Sequence, residues 1–462
     1  MSDEERAEDR RLAEGPEEED EEAFFDGGIE AAVINPEDRD QGDFSDDEEG
    51  EDEDDADGAD GAEEEEMLEP VEVDLSRPDF SLKTFDMHTD AVVAVALSKT
   101  DPQMIVTGAC DDKAFLVCVQ EEEGGVSGWG GKTKVELGGH SDTVSCVAFG
   151  FDGKHVATGG YDGVIRVWDV ASGSLVSTLE GPSEEVEWID WHPRGHALIA
   201  GSSDATTWLW WATTGTVMQV FAGHGASVTC GKFGKDGRIV CTGSADGSAG
   251  VFNPKTGDHL HLLKREDTPG WHRAGIVSLD THKSLPLMAT GAENGGVRVV
   301  NTDSGKVVAA LENHERSVES VAFGKWDSST GNVLLATASL EGTVNVVDCS
   351  SYGVRCTLKH GKGPDGSDVS GRLGPVVRMK WSPCGRPFLL TASTDGTLRF
   401  WDGRSGECIR LLSGHTAGVL DCDLQVADPR EGRGTGDVVK LRAVSGGDDK
   451  KCKVWELEVP AH

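Results

Sequence analysis

Within residues 138–170, GGHSDTVSCVAFGFDGKHVATGGYDGVIRVWDV, apolar and polar positions alternate over three short runs: Thr143–Phe149, His155–Thr158 and Val164–Asp169. Alternation with a period of two puts one face of each run on a core and the other outward, so each predicts a strand. Val, Ile, Thr, Phe and Trp fill the runs, as a pleated, half-buried surface prefers. Asp152-Gly153 and Asp162-Gly163 separate them, and Asp-Gly between alternating runs is a strong hairpin signal. A Gly-His pair opens the unit and a Trp-Asp pair closes it.

The unit repeats. Aligned on the acidic or amide residue six positions before the closing residue, eight copies fall at Asp111, Asp162, Asp204, Asp246, Asn294, Glu341, Asp395 and Asp449. The closing position holds Trp168, Trp210, Trp401 and Trp455, with Phe252, Val117, Val300 and Val347 as apolar substitutes. Opening histidines stand at His88, His140, His224, His272, His314 and His415, while Gly181-Pro182 and Gly374-Pro375 leave the third and seventh units without one. Hairpin-linked strands at this period, opened by Gly-His and closed by Trp-Asp, are the signature of WD40 propeller blades. The expected fold is all-β: an eight-bladed WD40 β-propeller over 77–462 preceded by a disordered acidic N-terminal tail over 1–76.

The co-occurring His, Thr or Ser, Asp and Trp predict a hydrogen-bonded chain within a blade. Asp162 accepts from His140, His140 from the Thr158 hydroxyl, and that hydroxyl from the Trp168 indole. His415, Ser445, Asp449 and Trp455 form the same set in the last unit. Taken singly, such a set has the residue types of a Ser-His-Asp triad. Near-copies around a ring argue for scaffold, since a satisfied buried network rigidifies its surroundings.

Charge changes the picture at one end of the chain. The 462 residues carry a formal net charge of -42. Residues 1–76 hold 36 acidic and 4 basic side chains (net -32), leaving 48 and 38 in the remainder (net -10). A segment so charged and poor in apolar residues buries too little to offset its ordering entropy, hence the expectation of disorder. Such acidity argues against direct nucleic-acid binding, which needs cations, and favours attracting or shielding a basic partner. The tail is interrupted by an apolar island, AFFDGGIEAAVI, which reads as a docking motif or a sticky patch. It also carries an acidophilic phosphorylation pattern at Ser45-Asp46-Asp47-Glu48. No secretory leader and no apolar run near the roughly 18 residues that span a bilayer are seen, so no membrane is implied. Eleven scattered cysteines without a CxxC pair read as free thiols in a reducing compartment. The expected location is cytoplasmic, with nuclear access left open.

The run Ser81–Phe85 matches the strand that follows Trp-Asp in other units, whereas the last unit stops at Trp455-Glu-Leu-Glu-Val. The first strand is therefore expected to complete the last blade, with Leu82 and Phe85 structural, and truncation past Asp79 to unfold the ring.

Several chemical motifs fail. GWGGKT at Gly128–Thr133 lacks the first glycine of a phosphate loop and precedes no helix. His192-Pro-Arg-Gly-His196 has metal-like spacing, but no Glu or Cys beside it completes a zinc set. Asp365 and Asp368 lie in a Gly-rich insert, Gly361–Gly374, with nothing to hold a catalytic geometry. No catalytic residue, cofactor or metal set is assigned, and a binding module remains. The candidate client-binding rim is Asp90, Asp142, Glu184, Glu185 and Glu315, just after the opening positions; Arg316 breaks its pattern.

The stretch EWIDWHPRGHALIAGSSDATTWLW (Glu187–Trp210), with DDKAF (Asp111–Phe115) and GHTAGVLD (Gly414–Asp421), resembles repeats of the angio-associated migratory cell protein family. The passage Val71–Asp90 and the closing GHTAGVLD…VWELEVP are similar to a fungal WD-repeat chaperone of a large-subunit ribosomal protein. That likeness implies a partner, a newly made basic ribosomal protein held until it joins the pre-60S particle. The animal relatives imply roles in cell migration, so the competing expectation is a general WD40 scaffold acting through protein–protein interactions.

Overall fold

The computed structural model describes residues 73–119, 134–325, 333–361, 373–427 and 438–460. Residues 1–72 of the tail, with the apolar island and Ser45, the GWGGKT stretch, Asp365 and Asp368 lie outside them. The described residues form eight four-stranded antiparallel sheets. In the second blade the strands are Cys146–Phe149, His155–Gly159, Ile165–Asp169 and Leu175–Leu179. Seven blades use four consecutive strands; the eighth borrows its outermost strand from the start of the domain.

Burial follows the layering. The two middle strands of each blade are almost wholly buried, as in Met104–Ala109 and Ala197–Ser202. The outer strands alternate, and their outward positions Leu175, Val308 and Val354 stay exposed. Apolar clusters form between neighbouring blades: Trp168 and Phe149 of the second pack with Leu116 and Val106 of the first. Each blade thus needs its neighbours to bury its faces, which makes the ring cooperative.

Eight inner strands would present eight open edges to the central channel, a costly set of unpaired backbone groups. Carboxylates of one blade satisfy amides of the next. Asp190 Oδ2 accepts from Phe233 N at 2.9 Å and Asp280 Oδ2 from Phe323 N at 2.7 Å. Asp421 and Asp423 accept from Val95 and Leu97 at 2.8 and 2.9 Å. Ser145 Oγ donates to Val186 O at 2.7 Å, and Ser278 Oγ to Val318 O at 2.6 Å. Burial pushes the Asp190 and Asp421 carboxyls up. These acids hold blades together.

Lys83–Phe85 pairs antiparallel with the last strand, Cys452–Pro460, at Lys83–Val454, Thr84–Lys453 and Phe85–Cys452. The preceding residues continue the strap: Phe80 N donates to Ser413 O at 3.0 Å and Leu82 N to Val454 O at 2.7 Å. Lys453, 2% exposed, donates to Asp79 at 2.6 Å and to Thr84 Oγ1 at 2.8 Å. Phe85 packs on the core shared by blades one and eight. Leu82 departs from expectation: its side chain is 56% exposed, because only its backbone joins the sheet.

Candidate binding face of the propeller

The turn after each second strand and the connection into the next blade lie at one end of the ring. A buried network fixes both. In the second blade His140 Nδ1 lies 3.0 Å from Asp162 Oδ1, its Nε2 2.9 Å from Thr158 Oγ1, and Trp168 Nε1 donates to that hydroxyl at 3.1 Å. Asp162, held ionised, can only accept, so Nδ1–H donates to it and Nε2 accepts the proton of the Thr158 hydroxyl. In the eighth blade His415 meets Asp449 at 2.9 Å and Ser445 at 2.7 Å, and Trp455 donates to Ser445 at 3.1 Å. Burial holds the His140 imidazole below its ordinary range despite Asp162, and Asp162 is held low by His140 and backbone amides against its own burial. A histidine kept neutral between a fixed donor and a fixed acceptor has no free lone pair for a reaction.

The seventh blade corrects the sequence reading. Its imidazole comes from His360, at the end of the sixth blade's outer strand Gly353–Lys359. His360 Nε2 sits 2.6 Å from Thr391 Oγ1, Nδ1 lies 3.8 Å from Asp395, and Trp401 donates to Thr391 at 2.9 Å. The insert separates this histidine from Pro375, so the usual spacing before Asp395 falls on Gly374-Pro375 instead. His360→Ala is expected to cost about 2–4 kcal/mol, because it opens a cavity and strips buried Thr391 of the imidazole it bonds. Urea unfolding checks this; an unchanged midpoint would remove His360 from the network.

The turn carboxylate also clamps the residue after the opening position. Thr89 N donates to Asp111 at 2.7 Å, Ser183 N to Asp204 at 2.8 Å, Glu315 N to Glu341 at 3.0 Å and Thr416 N to Asp449 at 2.9 Å. The next side chains are thereby held outward on a rigid rim. Asp90, Asp142, Glu184, Glu185 and Glu315 are all exposed there. Asp90 has a neighbour of opposite charge, Lys450, at 3.9 Å. The first four acids are gathered on consecutive blades one to three, while Glu315 stands apart on blade six.

Among the described residues, the loops of this face hold 21 acidic and 7 basic side chains, and those of the opposite face 6 and 9. Seven of the 21 are the turn carboxylates of the blade networks; the remaining 14 still outnumber the bases two to one. The channel wall is mixed instead, with Lys232 on Asp280 at 2.6 Å and Arg378 3.7 Å from Asp421. The acidity belongs to the face, not the pore.

One residue of this face escaped the sequence reading. Tyr161, one of two tyrosines in the chain, sits in the turn before Asp162 and is 44% exposed. Partial burial and then the charge of Glu187, with a smaller effect of Glu185, raise its phenol. An exposed ring beside two carboxylates suits a cationic side chain, held by ring face and charge together. The signal was available: the same position in the other blades is Cys110, Ser203, Ala245, Glu293, Leu340, Thr394 or Asp448, none of them aromatic.

All eleven cysteines are free. Burial pushes Cys146, Cys230, Cys241 and Cys452 up to about 12, far from the thiolate form at neutral pH.

Residues 131–169, 173–210, 215–253, 368–402 and 406–456 match the WD domain, G-beta repeat family. Angio-associated migratory cell protein from Canis lupus familiaris is 30% identical over 412 residues, covering 85% of this chain and 84% of the relative. The Homo sapiens protein of that name is 30% identical over 85% of each chain. Among solved structures, Sqt1 of Saccharomyces cerevisiae has a TM-score of 0.67 at 21% identity, covering 82% of this chain and 100% of its own. Chaetomium thermophilum Sqt1, solved bound to the N-terminus of the ribosomal protein L10, has the same score at 23% identity and the same coverage. At those identities the structural likeness shows the fold. The sequence likeness shows more: this chain belongs to the angio-associated migratory cell protein family of WD40-repeat proteins.

Proposed function

We propose that the protein is a non-catalytic chaperone for a basic, newly made large-subunit ribosomal protein during 60S assembly, and that it holds this client on its acidic face. The observation that carries the reading is the charge difference between the two faces, concentrated over blades one to three beside Tyr161. A basic segment left free would bind RNA without specificity; an acidic face occupies its cations and speeds its capture. Support comes also from the propeller of the same architecture that was solved with the N-terminus of a ribosomal protein. The residues proposed for contact are Asp90, Asp142, Glu184, Glu185 and Tyr161, with Glu315 peripheral.

Affinity purification of the full chain from cytosol at low and moderate salt, followed by mass spectrometry, tests the proposal. One stoichiometric basic ribosomal protein, weakened as salt rises, is expected. A mixed set of signalling or cytoskeletal proteins without a ribosomal client would replace the chaperone by a general scaffold. Tyr161→Ala should weaken the client about 5- to 30-fold, the equivalent of about 1–2 kcal/mol for a partly desolvated cation on a ring.

A further inference from the structure

On the face opposite the acidic rim, two turns bring three ligand-type side chains together at the seam of blades two and three. Asp152 sits in the turn after Cys146–Phe149, and His155 opens the strand that follows. His196 ends the corresponding turn of the next blade, immediately before strand Ala197–Ser202. One donor atom from each of the three lies within 4.8 Å of the others, and all three residues are partly buried. The two imidazoles meet edge to face with centroids 5.2 Å apart. Nδ1 of each ring is buried without a hydrogen-bond partner, an uncommon condition for a buried polar atom.

His192, which shares the metal-like spacing with His196, is not part of the set. His192 turns toward Phe233, ring centroids 5.1 Å apart, and its Nδ1 accepts from Arg194 N at 3.3 Å. His196 finds its companions on the neighbouring blade instead, which no local spacing reveals.

We propose that Asp152, His155 and His196 form a metal site for a divalent ion of borderline softness, Zn2+ fitting best, which clamps the second blade to the third. Two imidazoles and one carboxylate suit zinc, whereas calcium and magnesium take all-oxygen shells. Three protein ligands leave one tetrahedral position for water or a further side chain. Asp152 Oδ1 accepts from Lys154 N at 3.0 Å. Its Oδ2 lies 3.8 Å from the exposed Lys154 ammonium, a weak competitor for a metal ion. Phe151 and Trp211 stand 5.2 and 6.4 Å from the His196 ring and shield one side of the site.

The test titrates chelator-stripped full chain with ZnCl2 against a chromophoric competitor and follows thermal unfolding at each zinc concentration. One tight equivalent is expected, above any weak binding by the acidic tail, with a midpoint that rises as the site fills. Co2+ in place of zinc should give the visible bands of a tetrahedral ion without a thiolate charge-transfer band. His196→Gln and Asp152→Asn should each weaken the tight equivalent at least about tenfold, the size of effect seen even for outer-shell partners. The metal-free melts of these variants show whether they fold. If His196→Gln does not fold, Asp152→Asn, in a turn, decides alone. Absence of a tight equivalent, or an unchanged one in the folded variants, would reduce the cluster to two histidines in edge-to-face contact.

Discussion

A chain beginning at Asp86 should lose the cooperative melt of the full protein, whereas one beginning at Arg77 should keep it. The shorter chain lacks Lys83–Phe85, so the last sheet becomes three-stranded and the Cys452–Val454 edge loses its partner. It also strips Lys453 of both Asp79 and Thr84. An almost fully buried ammonium left unpaired costs about 3–5 kcal/mol. Losing Phe85 from the core between blades one and eight adds about 3 kcal/mol. Together these approach the roughly 5–15 kcal/mol that holds a folded domain. Circular dichroism melts of the two chains decide it. Cooperative unfolding of the shorter chain within a few degrees of the longer would show that the strap only decorates the ring.

The ring should also be acid-labile well above the carboxylate range. Burial lowers His192 and His360 to about 4 and His272 to about 3, from 6.5 in an unfolded chain. Their folded values lie below their unfolded ones, so the unfolded state binds more protons between them, and stability is lost as pH falls below about 6.5. At pH 5 each of these three buried groups costs on the order of 2 kcal/mol. His88, His140 and His224 shift in the same direction. Asp190 and Asp421 act oppositely, since burial raises them and they gain protons on folding in acid. Two carboxyls are outnumbered by these histidines. Melting midpoints measured in chelator should therefore fall steeply from pH 6.5 to 5. A flat profile over that range would mean that the buried imidazoles take up protons without loss.

The repeat was legible because each blade carries its own turn chemistry. Asp-Gly turns, opening histidines and closing tryptophans mark blades locally, and the missing last strand could be found at Ser81–Phe85 by its likeness to the others. Features built between blades were not legible. His360 serves the seventh blade from across an insert, and the inner-edge acids Asp190 and Asp421 act on amides of the following blade. Asp152, His155 and His196 meet only because adjacent turns stack around the ring. The five rim acids were found from their place after the opening positions, but the grouping of four of them on one sector required the order of blades in space. Tyr161 carries no charge to mark it, and its exposure is a property of the turn's orientation.

The central claim is that a basic ribosomal segment binds the acidic face. Its most direct test is the fluorescence anisotropy of a labelled peptide from the N-terminus of ribosomal protein L10, titrated with the full chain at several salt concentrations. Asp142→Asn combined with Glu184→Gln and Glu185→Gln should weaken binding about 5- to 150-fold, from about 1–3 kcal/mol for three exposed charges. Lys154→Gln with Arg194→Gln, on the opposite face, should leave it unchanged, and rising salt should weaken the wild type more than the acid-depleted variant. Equal binding by all three proteins, or loss on the opposite-face variant alone, would contradict the account.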